Sequence, residues 1–511
     1  MMSAEVSWFE KRGVLAEVRQ LLSERDVEGY LVGGYVRDLL LGRSTRDLDL
    51  VVRADAVGLA REAADRLGGS FVLLDEERHT ARVVLGHGDQ RYYVDLATMR
   101  GDGLGDDLAG RDFTVNSLAI DVRDSRPPWT IFDPLGGQSD LRSGLLRAVS
   151  ETIFADDPIR LLRAVRLSAE LSFTVEERTR ALIARDALLI AQASPERVRD
   201  ELFQILAVPE AEASLRYADE LGLLGPLLPE LEPLRGLEQP PPHYQDVLEH
   251  SLTVVGALDE VGKALRQMAS GQADAIALRP DARSEIGPPF VEAVAPYASQ
   301  LETRLDEMLV GERSRAALLK LSGLLHDVGK ASTGKVDEGG RTRFFAHAEE
   351  GSAVAGRVAR RLRLGNREVR LVRTVVRHHM RPLHLAKLAS ISRRAIYRFF
   401  GDTQEAGVDV VLLALGDNLA LVHGDQNVEQ WEQICRTAGI LLRAYYDQYR
   451  EVVEPEPLLS GRDLLELLGM EPGPQVGRIL KALREAQATG EVTTKEEALG
   501  LARSLLEERG G

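Results

Sequence analysis

Near residue 150 the chain changes its hydrophobic period, and that change decides what it can fold into. Between about residues 26 and 150, short apolar stretches (YLVGG, LDLVV, SFVLLD, ARVVL, YYVDLA and SLAIDV) are bounded by Gly, Asp and Arg turns, with one helical stretch, VRDLLLG, between the first two. Runs of that length and punctuation are strands. From 151 onward, beginning with DDPIRLLRAVRLSAEL, apolar residues recur at helical spacing almost throughout. The pattern predicts a multidomain chain, an α/β head with a mixed sheet and helices followed by an all-α remainder. Its 511 residues exceed one hydrophobic core and predict three or four domains.

The expected divisions are an amphipathic N-terminal helix over 1–25, the α/β head over 26–150 and a helical neck over 151–236. A His-rich helical domain follows over 243–425, with a loop-like insertion at about 266–300, and then a small helical tail over 426–511. The proline-rich LEQPPPHYQD marks the boundary before the His-rich domain. No repeat of fixed period runs through the chain.

Composition excludes several classes. At 44% hydrophobic, 28% charged and 5% aromatic, the chain reads as soluble and helix-rich, and no run of 18 apolar residues predicts a membrane span. The opening MMSAEVSWFEKRG has no apolar core of a secretory signal, so a cytoplasmic location is expected. The lone Cys435 allows neither an internal disulfide nor a thiolate zinc cage, so a metal site has to be built from His and carboxylates. A net charge of −16 argues against a protein that grips nucleic acid over its whole surface, but local fields decide binding. From Arg357 to Arg381 there are nine arginines and one acid, Glu368. A solvated helix face and a basic stripe along phosphates both fit that run, and charge alone leaves both open.

Chemistry first concentrates in the head. The strand YLV runs into Gly33-Gly34 and a helix carrying Arg37, an arrangement that lets backbone amides approach an anion. In RDLDLVV, period two puts Asp47 and Asp49 on one strand face while Leu48 and Leu50 enter the core. Adjacent carboxylates repel unless a divalent cation neutralises them, and oxygen ligands with open positions suit Mg²⁺ holding a triphosphate. Gly110-Arg111-Asp112-Phe113-Thr114-Val115-Asn116 offers donors and acceptors to a ribose and a phosphate, with Phe113 and Val115 as core anchors. In DDPIRLLRAVR, Asp156 or Asp157 and Arg160 are expected to share a helix face, presenting an acceptor and a donor fork to a base edge, or simply a surface ion pair.

GGYVRDLLLG, RDLDLVV, GRDFTVNSLAID, FDPLGG and DDPIRLLRAVRLSAELSF, in this order, resemble the bacterial CCA-adding tRNA nucleotidyltransferases. These form the class II branch of the polymerase-β-like nucleotidyltransferases, with the bacterial poly(A) polymerases. The match is dense over 25–175 and continues through IYRFFGDTQEAG, LALGDNLA and LSGRDLLELLGMEPGPQVGRILKAL. The resemblance implies untemplated addition of nucleotides from CTP and ATP to a tRNA 3′ end. It assigns Gly33, Gly34 and Arg37 to the incoming triphosphate, Asp47 and Asp49 to Mg²⁺, Arg111 to phosphate, and Asp112 and Asn116 to the sugar. Asp157, Arg160, Arg163 and Arg166 become the wall that selects the base, and Asp95 an auxiliary carboxylate. Two positions depart from the family: Gly110 stands where Arg is usual, and Asp156 where Glu is usual. Between Arg100 and Arg111 lies only GDGLGDDLAG, where full CCA-adding relatives carry a longer flexible loop. The shortened form resembles the branch that adds only CC and leaves the final A to a partner enzyme.

The second concentration is His250, His326-Asp327, His347, His378-His379 and Asp417. LSGLLHDVGK reads as a buried helix ending in a His-Asp pair, whose neighbouring side chains reach one metal from the same side. The ligand set is expected to be His250, His326, Asp327, His347, His378 and Asp417. Imidazole with carboxylate suits Mn²⁺, Ni²⁺, Fe²⁺ or Zn²⁺ with water as nucleophile, and Lys330 lies one turn on to meet a phosphate. The order resembles the HD-superfamily phosphohydrolases, which implies hydrolysis of a 2′,3′-cyclic phosphate, a 2′-phosphate or a related ester. The competing expectations are a poly(A) polymerase, an HD hydrolase whose head only binds nucleotide, and an RNA-binding scaffold.

Overall fold

The computed structural model describes residues 13–86, 91–124, 129–272, 276, 278, 287–337, 342–423 and 426–507. The chain forms two compact units, Met1–Ala193 with Leu221–Leu223, and Ser194–Glu220 with Leu224–Gly511. The neck expected over 151–236 is therefore divided between them.

In the first unit, α1 (Val14–Glu24) is the described part of the expected N-terminal helix. Then come β1 (Gly29–Val32), α2 (Gly33–Leu40), β2 (Asp47–Val52), α3 (Ala56–Leu67), β3 (Ser70–Asp75), β4 (Thr80–Leu85), β5 (Tyr92–Thr98), α4 (Leu104–Ala109), β6 (Ala119–Asp121) and β7 (Ile131–Phe132). The strands make one seven-stranded sheet in the order β3-β4-β5-β2-β1-β6-β7. β2 and β5 run parallel and the other neighbours antiparallel, so the sheet is mixed as expected. Leu48 and Leu50 are buried while Asp47 is exposed, which is the alternation read from RDLDLVV. After the sheet come α5 (Gly137–Ser143), α6 (Ile153–Asp156), α7 (Arg160–Leu171) and α8 (Glu177–Asp186).

Asp156, Asp157 and Arg160 do not share one helix face. Asp156 ends α6, Arg160 begins α7, and Asp157 between them is extended at φ −151° and ψ 96°. Pro158 is the cause, because its ring disfavours helical backbone at the residue before it.

The second unit is almost entirely helical. It contains α9 (Pro195–Ala207), α10 (Ala211–Glu220), α11 (Val247–Ala269), α12 (Gly287–Val294), α13 (Ala298–Leu305), α14 (Arg315–Leu325), α15 (His347–Arg361), α16 (Asn366–His378), α17 (Arg393–Thr403), α18 (Gly407–Ala420) and α19 (Val428–Tyr446). The loop-like insertion expected at 266–300 is corrected at both ends. α11 runs on to Ala269, and α12 and α13 occupy 287–305, burying Phe290, Val294, Leu301 and Leu305 at helical spacing. Gly and Pro punctuation around these residues masked that period. Residues 273–275, 277 and 279–286, between those ends, lie outside the described residues. In the tail, α20 (Gly461–Leu468), α21 (Pro474–Thr489) and α22 (Lys495–Glu507) enclose a small core that includes Leu464, Ile479, Leu483 and Ala498.

Candidate functional site

In the head, the central strand β2 carries Asp47 and Asp49 beside the start of α2. Gly33 has φ +68°, and a Cβ there would stand 3.0 Å from Arg111 Nη1 and 3.1 Å from Asp49 Oδ2. The left-handed backbone and the close approach both call for glycine. Asp49 sits opposite Asp95 of β5 in register. Burial first, and then the Asp95 charge, raise the Asp49 pKa, while Arg111, the Tyr35 backbone N–H and Arg37 pull the other way. A half-buried carboxylate against a second carboxylate is a poor place for bare negative charge and a good place for a cation. The donor set fits a hard divalent ion.

The arginines around these carboxylates are held in place. Arg37 is buried, donating from Nε and Nη2 to Asp38 at 2.9 Å each and from Nη1 to Asn116 Oδ1 at 2.9 Å. A guanidinium has five N–H groups, so two remain for a ligand. Arg111 donates from Nε and Nη2 to Asp107 at 3.2 and 3.0 Å, which leaves Nη1 turned toward Gly33 and Asp49. Asn116 lies between Arg37 and Asp112, donating to the latter at 2.9 Å. Burial works to raise the Asp112 pKa, but Arg163, Asn116, the Phe113 N–H and Arg160 hold it below the ordinary value. Arg163 Nη1 reaches Asp112 at 3.3 Å, and Arg160 Nη2 donates to the Gly110 carbonyl at 2.8 Å. Arg160 thus touches the position where the family's usual Arg is missing. Arg166 pairs with Glu170 at 2.7 Å. Asp157 lies close enough to Arg160 to act on its charge, while the exposed Asp156 accepts from Thr152 at 3.0 Å.

Two supports escaped sequence reading. Arg82 of β4 holds Asp95 through bonds of 2.7 and 2.8 Å, so Asp95 is already paired. Asp107 is buried and orients Arg111; its spacing of four from Arg111 was the available signal.

In the helical unit, α11, the end of α14, the start of α15, the end of α16 and α18 converge on one cluster. His250 Nε2 lies 3.0 Å from Asp417 Oδ1, and His326 Nε2 lies 3.1 Å from Asp327 Oδ2 and 3.8 Å from Asp417 Oδ1. His347 Nε2 is 3.5 Å and His379 Nε2 3.7 Å from Asp327 Oδ1, a buried oxygen with no hydrogen-bond partner among the described residues. Two groups have ligand geometry and share Asp327: His250 with His326, and His347 with His379. His379 replaces His378 in the expected set. Leu371, Val372, Val375 and Val376 form the buried stripe of α16, and position 379 continues it, whereas 378 turns aside by about 100°. That stripe could have chosen between the two histidines.

The ring orientations fit a cation. His347 and His379 donate from Nδ1 to the carbonyls of Phe344 and Val376 at 2.8 and 2.7 Å. Carbonyls only accept, so both Nδ1 atoms carry protons, and each ring in its neutral form turns an Nε2 lone pair to the cluster. Those Nε2 atoms face each other at 3.3 Å, and burial pushes the His379 pKa down to about 3. Two facing lone pairs beside a buried, unbonded carboxylate oxygen call for a metal ion. His326 likewise donates from Nδ1 to the Gly323 carbonyl at 2.7 Å, and Asp327 and Asp417 raise its pKa against the effect of burial. Lys330, expected to meet a phosphate, places Nζ 2.5 Å from Asp327 Oδ2 and 2.6 Å from Gln239 Oε1.

No described helix is long and apolar enough to cross a membrane. Family models match along the chain: the poly A polymerase head domain over 29–147, a probable RNA and SrmB-binding site of polymerase A over 172–234, the HD domain over 291–419, and a putative tRNA nucleotidyltransferase domain 2 over 426–502. A CC-adding tRNA nucleotidyltransferase of Thermus thermophilus is 36% identical over 95% of this chain and 94% of its own length. An A-adding tRNA nucleotidyltransferase of Deinococcus radiodurans is 35% identical over 94% and 96%. Among solved structures, a CCA-adding enzyme in complex with ATP shares the fold at a TM-score of 0.58 and 21% identity, covering 98% of this chain and 95% of that one. A Thermotoga maritima CCA-adding enzyme complexed with tRNA does so at 0.53 and 21%, covering 97% and 95%. A poly A polymerase head, an HD domain and relatives above one-third identity along nearly the whole chain establish that it belongs to the tRNA nucleotidyltransferase family.

Proposed function

We propose that this enzyme adds CC to the 3′ end of tRNA from CTP and leaves the terminal A, from ATP, to a separate enzyme. Its relatives include both CC-adding and A-adding proteins, so the added nucleotide has to be argued from this chain. The observation that carries the reading is the segment 101–110. It turns directly into α4, with Leu108 fully buried and Asp107 accepting from both the Arg100 N–H and Arg111. A packed helix joining two anchored arginines has no slack to re-aim the base-reading side chains from C to A.

In this reading Asp47 and Asp49 hold Mg²⁺, which when bound supplies neutralisation of the triphosphate and of the attacking 3′ oxygen. Gly33, Gly34, the spare N–H groups of Arg37 and Arg111 Nη1 receive phosphate oxygens. Asp157, Arg160 and Arg163 read the base edge, with Asp112 fixing Arg163. Asn116 and Arg166 act as positioning residues, because Arg37, Asp112 and Glu170 already engage them. tRNA transcripts ending before CCA, after C and after CC, each given CTP or ATP alone, test the assignment. CTP should extend the first two and ATP should extend none; extension by ATP of the transcript ending in CC would point to A addition.

The His-Asp cluster supports a second activity, hydrolysis of a 2′,3′-cyclic phosphate, a 2′-phosphate or a related nucleotide ester with a transition metal such as Mn²⁺, Ni²⁺, Fe²⁺ or Zn²⁺. It is expected to disappear in His326→Ala and to survive in Asp47→Ala. No turnover of such esters with Mn²⁺, Ni²⁺ or Co²⁺ would leave the domain a docking role.

A further inference from the structure

The arginine-rich stretch 357–381 forms the outer faces of α15 and α16, which pack against each other. Arg370, Arg373 and Arg377 recur at spacings of three and four and so share one face of α16. Together with Ser352, Thr374 and Gln404 they line a cavity of about 240 Å³. The stem of Arg373 lies across Gly356 of α15, where a Cβ would stand 2.7 Å from its Cδ, and this holds the guanidinium over the cavity.

The charge there is not cancelled. Arg370 and Arg373 are exposed and have no acidic partner among the described residues, and neither does Arg357 on the adjoining helix. Among the described residues Arg360, on that helix too, donates only to the Gly356 carbonyl. Two acids are near: Glu349 pairs with Arg377 at 2.8 Å, and Glu405, in the cavity wall, is taken by Arg315 and by Arg367. Gln404 holds φ +46°, a costly conformation for a side chain of its size, with an exposed amide beside the arginines. In a chain of net charge −16, uncompensated cations gathered at one cavity imply an anionic ligand.

We infer that this cavity receives a backbone phosphate of the tRNA, with Arg357 and Arg360 extending the contact to neighbouring phosphates. The cavity has no aromatic lining to stack a free nucleotide's base, and its cations continue along a second helix, as a polyanion requires. The inference rests on tRNA being the substrate. It adds an anchoring surface within the HD-domain segment, on the face of α16 turned away from His379.

The double variant Arg370→Glu/Arg373→Glu tests it, with Arg370→Gln/Arg373→Gln as the milder form, since both positions are exposed and outside the core. Binding of a tRNA transcript is measured against salt, beside nucleotide addition and a titration with inorganic phosphate. The expected result is tRNA affinity weakened roughly tenfold by charge reversal, less by the neutral pair, with the salt slope reduced by about 2. KM for CTP and turnover at saturating tRNA should not change. Unchanged tRNA affinity and salt slope in both variants would overturn the inference. So would loss of phosphate binding alone, which would mark a small-anion site. A wild-type enzyme that extends no tRNA would instead refute the substrate reading, and that is seen before any variant is compared.

Discussion

Asp49 and Asp95 stand opposite each other on neighbouring parallel strands, and only Asp95 has an arginine, Arg82, in a two-bond clamp. One carboxylate is thereby tied off while the other stays available to a cation. Arg82→Ala should release the Asp95 charge beside Asp49 without unfolding the sheet, lowering nucleotide addition about 10–100-fold, the usual effect of removing a group that orients a metal site. Addition within twofold of wild type, with unchanged dependence on Mg²⁺, would mean the clamp does not matter.

The raised pKa of Asp49 has a stability consequence. A carboxyl that holds its proton more tightly folded than unfolded costs stability once it ionises. Without metal, stability is therefore expected to fall as pH rises above roughly 4, the ordinary carboxylate value. Asp49→Asn removes that charge, so in chelator it should melt higher than wild type at pH 7, with the difference closing toward pH 4, while losing nucleotide addition. A lower Tm for Asp49→Asn at pH 7 would contradict the sign.

His378 and His379 are adjacent, yet only His379 faces the cluster. His379→Ala is expected to reduce transition-metal binding and ester hydrolysis at least about 100-fold, and His378→Ala only a few-fold. Metal titration by calorimetry reads the difference directly, and equal losses in the two variants would return His378 to the ligand set.

The one acid in the arginine-rich stretch is not on its surface. Glu368 is fully buried, accepting from Arg313 at 2.7 and 3.1 Å and from the Gly365 N–H at 2.6 Å. Glu368→Ala takes away the two-bond partner of the buried Arg313, leaving it to face Asp200 at 3.8 Å, and uncaps α16, at a cost of about 3 kcal/mol in denaturant unfolding of the helical unit. A cost below about 1 kcal/mol would show that the pair is dispensable.

What could be read from the residues followed from period. The strands of the head, the alternation of Leu48 and Leu50 with Asp47 and Asp49, and the burial of LSGLLHDVGK all came from apolar spacing that the fold preserves. What could not be read depended on tertiary partners. Nothing adjacent to Asp95 announces that Arg82 will reach it from the neighbouring strand. The helix break between Asp157 and Arg160 is written in Pro158, which overrides the helical spacing of the acids and the arginine. The choice of His379 was likewise present in the Leu371–Val376 stripe, once that stripe is carried to the helix end.

The most direct test of the central claim is the sequence of the finished 3′ end. A tRNA lacking all three terminal nucleotides, given CTP and ATP together until extension stops, should end in CC. Efficient addition of a terminal A, either after that CC or to a transcript already ending in CC, would contradict the account.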